Sequence, residues 1–125
     1  MKNEIEIDEK AILIRINQLY SDSMSDLALY EATRGVWKVG DRKNKAELAF
    51  AVYGGQVKEI FKIGKWLKAG TQQYLTIPQE HKMIAGRWEF EGVVANEAIR
   101  QKYMGKSVKA YFPKGAANPV MYVNC

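Results

Sequence analysis

The sequence predicts an α+β fold: a small curved antiparallel β-sheet or β-barrel with two or three short helices. Three observations point there. The runs LAFAVY and QVKEIFKI flank Gly54-Gly55 and read as a hairpin with a primed turn. Two segments open on helix-capping residues, Ser25 (or Ser23) and Asn96, and stop at Gly35 and Gly105. The remaining apolar runs are short and rich in β-branched or aromatic residues, as strands are.

Residues 1–10 are polar and acidic and read as a loose arm. Ile12, Leu13, Ile14 and Ile16 form a first strand. The helix after Ser25 runs to Arg34, with Leu27, Tyr30 and Arg34 on one face. Asp26 in its first turn and Arg34 in its last suit the helix dipole. A short apolar stretch follows around Trp37, then the charged turn DRKNK at 41–45. Leu48 to Tyr53 is apolar on both faces and belongs at the centre of the sheet. In its hairpin partner Val57, Glu59, Phe61 and Ile63 alternate with Lys58, Ile60 and Lys62, and the chain then leaves the sheet at Gly64, carrying Trp66. Residues 71–86 are punctuated by Pro78 and Gly86, with a short strand expected at 74–77 and a lid over a ligand as one role for the segment. Arg87 to Val94 alternates as a strand, with Trp88 and Phe90 inward. A second helix spans 96–103, and Val108–Phe112, PKGAANP and Val120–Val123 read as a final hairpin.

A chain of 125 residues suits one domain, drawn from 1 to 125, with no linker or repeat to divide it. No apolar run approaches the ~20 residues of a membrane span, and the N-terminus lacks a signal peptide's basic-then-apolar pattern. No membrane partner and a cytoplasmic location are therefore expected. Cys125 is the only cysteine, so neither an intramolecular disulfide nor a thiolate zinc cage can form. Charge is unevenly placed. Residues 1–33 hold seven acids and three bases, 34–70 nine bases and three acids, and 71–125 seven bases and four acids. A basic face built mainly by the middle third suits a partner that carries phosphate.

Several blocks have a further bearing: LYEATRGVW (29–37), KAELAFAVYGG (45–55), RWEFEGVVA (87–95) and IRQKYMGKSVKAYFPKGAANPVMYVNC (99–125). They resemble a widespread family of small bacterial and phage proteins, over nearly the whole chain from Ala11. The element order is similar to that of the PUA-like superfamily, which includes the ASCH and EVE domains. That resemblance implies a small β-barrel with helices at its rim, and binding of RNA or of modified DNA bases.

Candidate ligand-binding residues follow from chemistry. Thr33, Arg34 and Trp37 set a hydroxyl, a guanidinium and an indole at a helix-to-loop transition, where Gly35 lets a ligand approach the main chain. Lys38, Arg42, Lys43 and Lys45 follow as a phosphate clamp. Trp66 lies among Lys58, Lys62, Lys65 and Lys68, the interleaving expected of a nucleic-acid groove. Arg87 joins Trp88 on a strand, and Asn118 stands ready in a turn to read a base edge. Each has a plainer reading: a core tryptophan, a capping glycine, a solvated charged loop.

Catalysis finds no pattern. His81 is the only histidine, and no nucleophile elbow, Walker loop or metal motif occurs. Glu31, Glu59, Glu89 and Glu91 have no spacing that sets one pKa apart from another. No catalytic residue, metal or cofactor is expected, although a hydrolase built on Arg, Lys and one Glu is the residual enzymatic alternative. The leading expectation is a module that binds nucleic acid or a modified base. The alternative is a phage-type anti-defence protein that sequesters a small signalling nucleotide. An exposed strand such as 57–63 would also permit homo-oligomers by edge pairing.

Overall fold

The computed structural model describes residues 5–17, 19–115 and 117–125. It is an α+β fold in which six strands form one curled, half-barrel sheet and two helices pack against it. The strands are β1 (Ala11–Arg15), β2 (Gly35–Trp37), β3 (Leu48–Tyr53), β4 (Gln56–Lys68), β5 (Trp88–Val94) and β6 (Val120–Val123). The helices are α1 (Asp26–Arg34) and α2 (Glu97–Tyr103). The sheet order is β2-β5-β4-β3-β1-β6.

Local chemistry explains the elements. The hydroxyl of Ser25 accepts from the Ala28 amide and Asn96 accepts from the Ile99 amide, so both helices begin at the caps the sequence offers. Gly54 and Gly55 adopt φ of +61° and +78°, which turns β3 tightly into β4. β3 is buried at every residue but Tyr53 because β1 and β4 flank it and both its faces are covered. On one face Leu13, Phe50, Val52 and Ile60 meet Tyr103 of α2. On the other Ile12, Ile14, Ala49, Phe61 and Phe90 meet Leu29 and Tyr30 of α1, together with Trp37 and Trp66.

The structure departs from the sequence expectations at six places. β1 runs parallel to β3, so the sheet is mixed. A register shift between Ala51 and Val52 breaks the simple alternation of β4, bringing Val57 and Ile60 to one face and Phe61 and Ile63 to the other. β4 also continues past Gly64, which is the extra residue of a bulge, to pair Trp66 with Phe90 and Lys68 with Trp88. Residues 74–77 form no strand, and Lys109–Tyr111 is a single 3-10 turn, so β6 pairs with β1 instead of closing a hairpin. Finally, residues 5–10 are docked: the Ile5 amide bonds Ser107, Ile7 is buried, and the Tyr103 hydroxyl donates to Glu9. The first residues of the expected arm, 1–4, lie outside the described residues. Among the described residues no helix is long and apolar enough to cross a membrane.

Candidate functional site

Where β2 meets β5, the last turn of α1 buries Glu31, Thr33 and Arg34, and the long β4–β5 connection wraps over them. That connection has no regular strand to satisfy its amides, so carboxylates satisfy them. Glu31 accepts from the Leu75 and Thr76 amides (2.9 and 2.8 Å) and from the Thr76 hydroxyl (2.6 Å). Glu89, wholly buried, accepts from the Gly70 and Gln72 amides (3.2 and 2.6 Å) and from the Tyr74 hydroxyl (3.1 Å). Two cations balance the two acids. Arg34 donates to the Gln73 carbonyl (2.6 Å) and the Gln72 side chain (3.2 Å), with its guanidinium 4.3 Å from the Tyr74 ring centroid. Lys82 donates to the Gly35 carbonyl at 2.6 Å.

These surroundings set the protonation states. Burial raises the Glu31 carboxyl, but the Thr76 and Leu75 donors and Arg34 outweigh it and hold the group below its ordinary value. Burial, then the charge of Glu89, pushes the Tyr74 hydroxyl up, so it stays a donor. Burial lowers the Lys82 ammonium, opposed by Glu89. Gly35 is required here for space: a Cβ would stand 2.6 Å from Glu89 Cβ and 2.7 Å from the Tyr74 hydroxyl. Its φ of −178° is extended, so the helix ends there without a left-handed cap.

Beside this network opens a cleft of about 570 Å³. Arg15 and Asn17 at the end of β1, Trp37 of β2, and His81, Lys82 and Arg87 of the β4–β5 connection line it. Among the described residues no carboxylate does. The Trp37 indole donates its N–H to the Thr33 carbonyl at 2.7 Å, which fixes the ring and leaves no further donor on it. Arg15 donates to the Asn118 carbonyl at 2.6 Å and lies over the Phe112 ring, so the 117–119 turn braces one wall.

Of the residues singled out from the sequence, Trp37 and Arg87 meet in this cleft. Thr33 lies fully buried beneath it, its hydroxyl donating to the Leu29 carbonyl. Arg34 is buried in the network, so its guanidinium is committed to holding the 72–74 segment instead of facing a ligand. Gly35 also lines the cleft, while the space a Cβ would take there is filled by Glu89 and Tyr74. Asn118 caps its own turn by accepting from the Val120 amide. Lys38 and Lys45 are exposed away from the cleft, and Arg42 grips the Cys125 carbonyl over the Tyr122 ring. Lys43 and Trp66 line a second cleft of about 510 Å³. The sequence reading missed Arg15, Asn17 and Lys82 as lining residues, and it left Glu31 and Glu89 without a role. Pro78 and Gly86 did mark the connection that supplies His81, Lys82 and Arg87. Among the described residues no three His, Cys, Asp or Glu side chains cluster as metal ligands.

No family model matches the chain, and searches of curated proteins and of solved structures give no match.

Proposed function

We propose that the protein binds nucleic acid one nucleotide at a time, seating a base against Trp37 and a phosphate near Arg15 and Arg87. The observation that carries this reading is the convergence of Trp37 with Arg15, Lys82, Arg87 and His81 in one cleft that no described carboxylate lines. An indole held by its own N–H offers its π-face, a surface every base can use. A lining of cations without acids favours an anionic ligand, and guanidinium groups suit phosphate by their forked geometry. The uneven basic charge of residues 34–125 supports a polyanion, and the resemblance to the PUA-like superfamily is in keeping with this. The β4–β5 connection acts as a braced wall of the site, tied to Glu31 and Glu89, more than as a swinging lid.

A second reading has one observation in its favour. The cleft volume falls within the roughly 300–1,000 Å³ typical of small-ligand pockets. A free nucleotide would use the same contacts.

Titration of tryptophan fluorescence with a single-stranded oligonucleotide and with mononucleotides separates the two. The strand-binding reading expects tighter oligonucleotide binding that weakens steeply with salt, and Arg87→Ala, at an exposed position, should weaken it about tenfold with Tm unchanged. Equal affinity for a mononucleotide would move the assignment to the second reading. No binding of either at low salt would end both.

A further inference from the structure

The second cleft, lined by Lys43, Lys62, Gly64, Lys65 and Trp66, has a feature the first lacks. Lys43 is only 5% exposed, yet among the described residues its ammonium meets no carboxylate, only the Trp88 ring at 4.0 Å. A buried cation normally has a paired anion, because removing it from water otherwise costs several kcal/mol. Trp66, in the same lining, buries its indole N–H without an acceptor among the described residues. A buried donor left unpaired costs about 1–3 kcal/mol. Lys43 converges with the exposed Lys62 and Lys65 on this one concavity, and Trp66 forms part of its wall. Gly64, the bulge residue without a partner on β5, brings bare main chain to the same place. One carboxylate, Glu47, also lines the cleft; it is exposed and forms no ion pair with the three lysines among the described residues.

We propose that this second cleft is a phosphate-binding site, distinct from the Trp37 cleft, with Lys43 as its inner cation, Lys62 and Lys65 as its outer cations, and Trp66 in its wall as the reporter of occupancy. Phosphate fits because its several acceptor oxygens and multiple negative charge can compensate more than one ammonium at once. Trp88, whose ring carries Lys43, is the cross-strand partner of Trp37, so one strand pair joins the two clefts. A neighbouring phosphate on a bound strand and a free phosphate share this chemistry.

The test follows the three indole N–H signals in ¹H–¹⁵N spectra of the full chain, assigned with Trp37→Phe, Trp66→Phe and Trp88→Phe. Inorganic phosphate is added at constant ionic strength against chloride, followed in a separate titration by a single-stranded oligothymidylate. Phosphate should move the Trp66 signal saturably, and Lys43→Met should weaken that response about tenfold, the loss of one charge-assisted hydrogen bond. If Lys43→Met does not fold, the double variant Lys62→Gln/Lys65→Gln, altered only at exposed positions, should weaken it instead. An oligonucleotide that shifts Trp66 more tightly than phosphate does identifies a strand as the source, and the reverse identifies free phosphate; either supports the site. A Trp66 signal indifferent to both probes across the millimolar range, or moved equally in the folded variants, overturns it. Movement of Trp37 alone would sink the second cleft and spare the first, and movement of Trp66 alone would do the opposite.

Discussion

Arg34 and Lys43 are buried to nearly the same degree, 6% and 5% exposed, but their surroundings differ in kind. Arg34 sits among acids, carbonyls and aromatic rings, and both terminal nitrogens of its guanidinium have partners at hydrogen-bond distance, although its Nε has none among the described residues. Lys43 has an indole face and a cleft. The difference teaches how to read a buried charge. One whose counter-charge lies inside the fold holds the chain together, whereas one without a counter-ion among the described residues is the place to look for a ligand. Four variants break or sharpen that contrast.

The largest effect is expected at Arg34. Arg34→Ala leaves Glu31 and Glu89 facing Lys82 alone, and breaking a buried pair of this kind costs about 3–5 kcal/mol. Chemical denaturation would measure the loss, and hydrogen exchange should accelerate first at Gln72, Leu75 and Thr76, whose amides the carboxylates hold. If Arg34→Ala kept its stability but lost nucleic-acid binding, Arg34 would belong to the ligand and the contrast would fail.

Glu31→Gln comes next, at about 1.5–3 kcal/mol for hydrogen bonds to a charged acceptor. Its signature is pH dependence. The folded carboxyl titrates below the ordinary 4.5, so its contribution is fully present above about that pH and lost as pH falls through the folded value. The wild-type chain should lose stability on acidification through this window, and Glu31→Gln should flatten the fall. Parallel acid limbs in the two proteins would show that Glu31 is not the group responsible.

Gly35→Ala should cost about 1–3 kcal/mol, as forced overpacking does, because the new methyl group meets Glu89 and Tyr74. Pairing it with Tyr74→Phe, which removes the hydroxyl 2.7 Å from that methyl group, should recover part of the loss. A double-variant cycle would measure the recovery. Strictly additive costs would mean that the hydroxyl is not what the methyl group strikes.

The sequence carried the local features well, because their causes are local. Ser25, Asn96 and Gly54-Gly55 specify helix starts and a turn through neighbours within a few residues. Long-range choices were illegible. Nothing in Ile12–Ile14 says that β1 pairs in parallel with β3, and nothing in Val108–Phe112 says that β1 will take β6 from it. The site divides in the same way. Trp37 and Arg87 stood out by residue type, and both line the first cleft. Glu31 did not, because its partners are backbone amides 44 and 45 residues away, and an amide has no letter of its own. Arg34 misled for the same reason: the carbonyl that receives it, Gln73, lies 39 residues along.

The smallest stability effect is expected at Lys43, and its smallness is the point. Lys43→Met keeps most of the length of the side chain and its apolar packing but removes the ammonium. The variant forgoes a cation–π interaction of about 0.5–2 kcal/mol and is relieved of a largely enclosed charge that has no counter-ion among the described residues. The two nearly cancel, so a change within about 1 kcal/mol of wild type, of either sign, is expected in chemical denaturation without phosphate. With phosphate present, the wild-type chain should gain Tm by mass action and Lys43→Met should gain less. A destabilisation as large as that of Arg34→Ala would mean that Lys43 supports the fold as Arg34 does, and the distinction between a satisfied and a waiting cation would collapse.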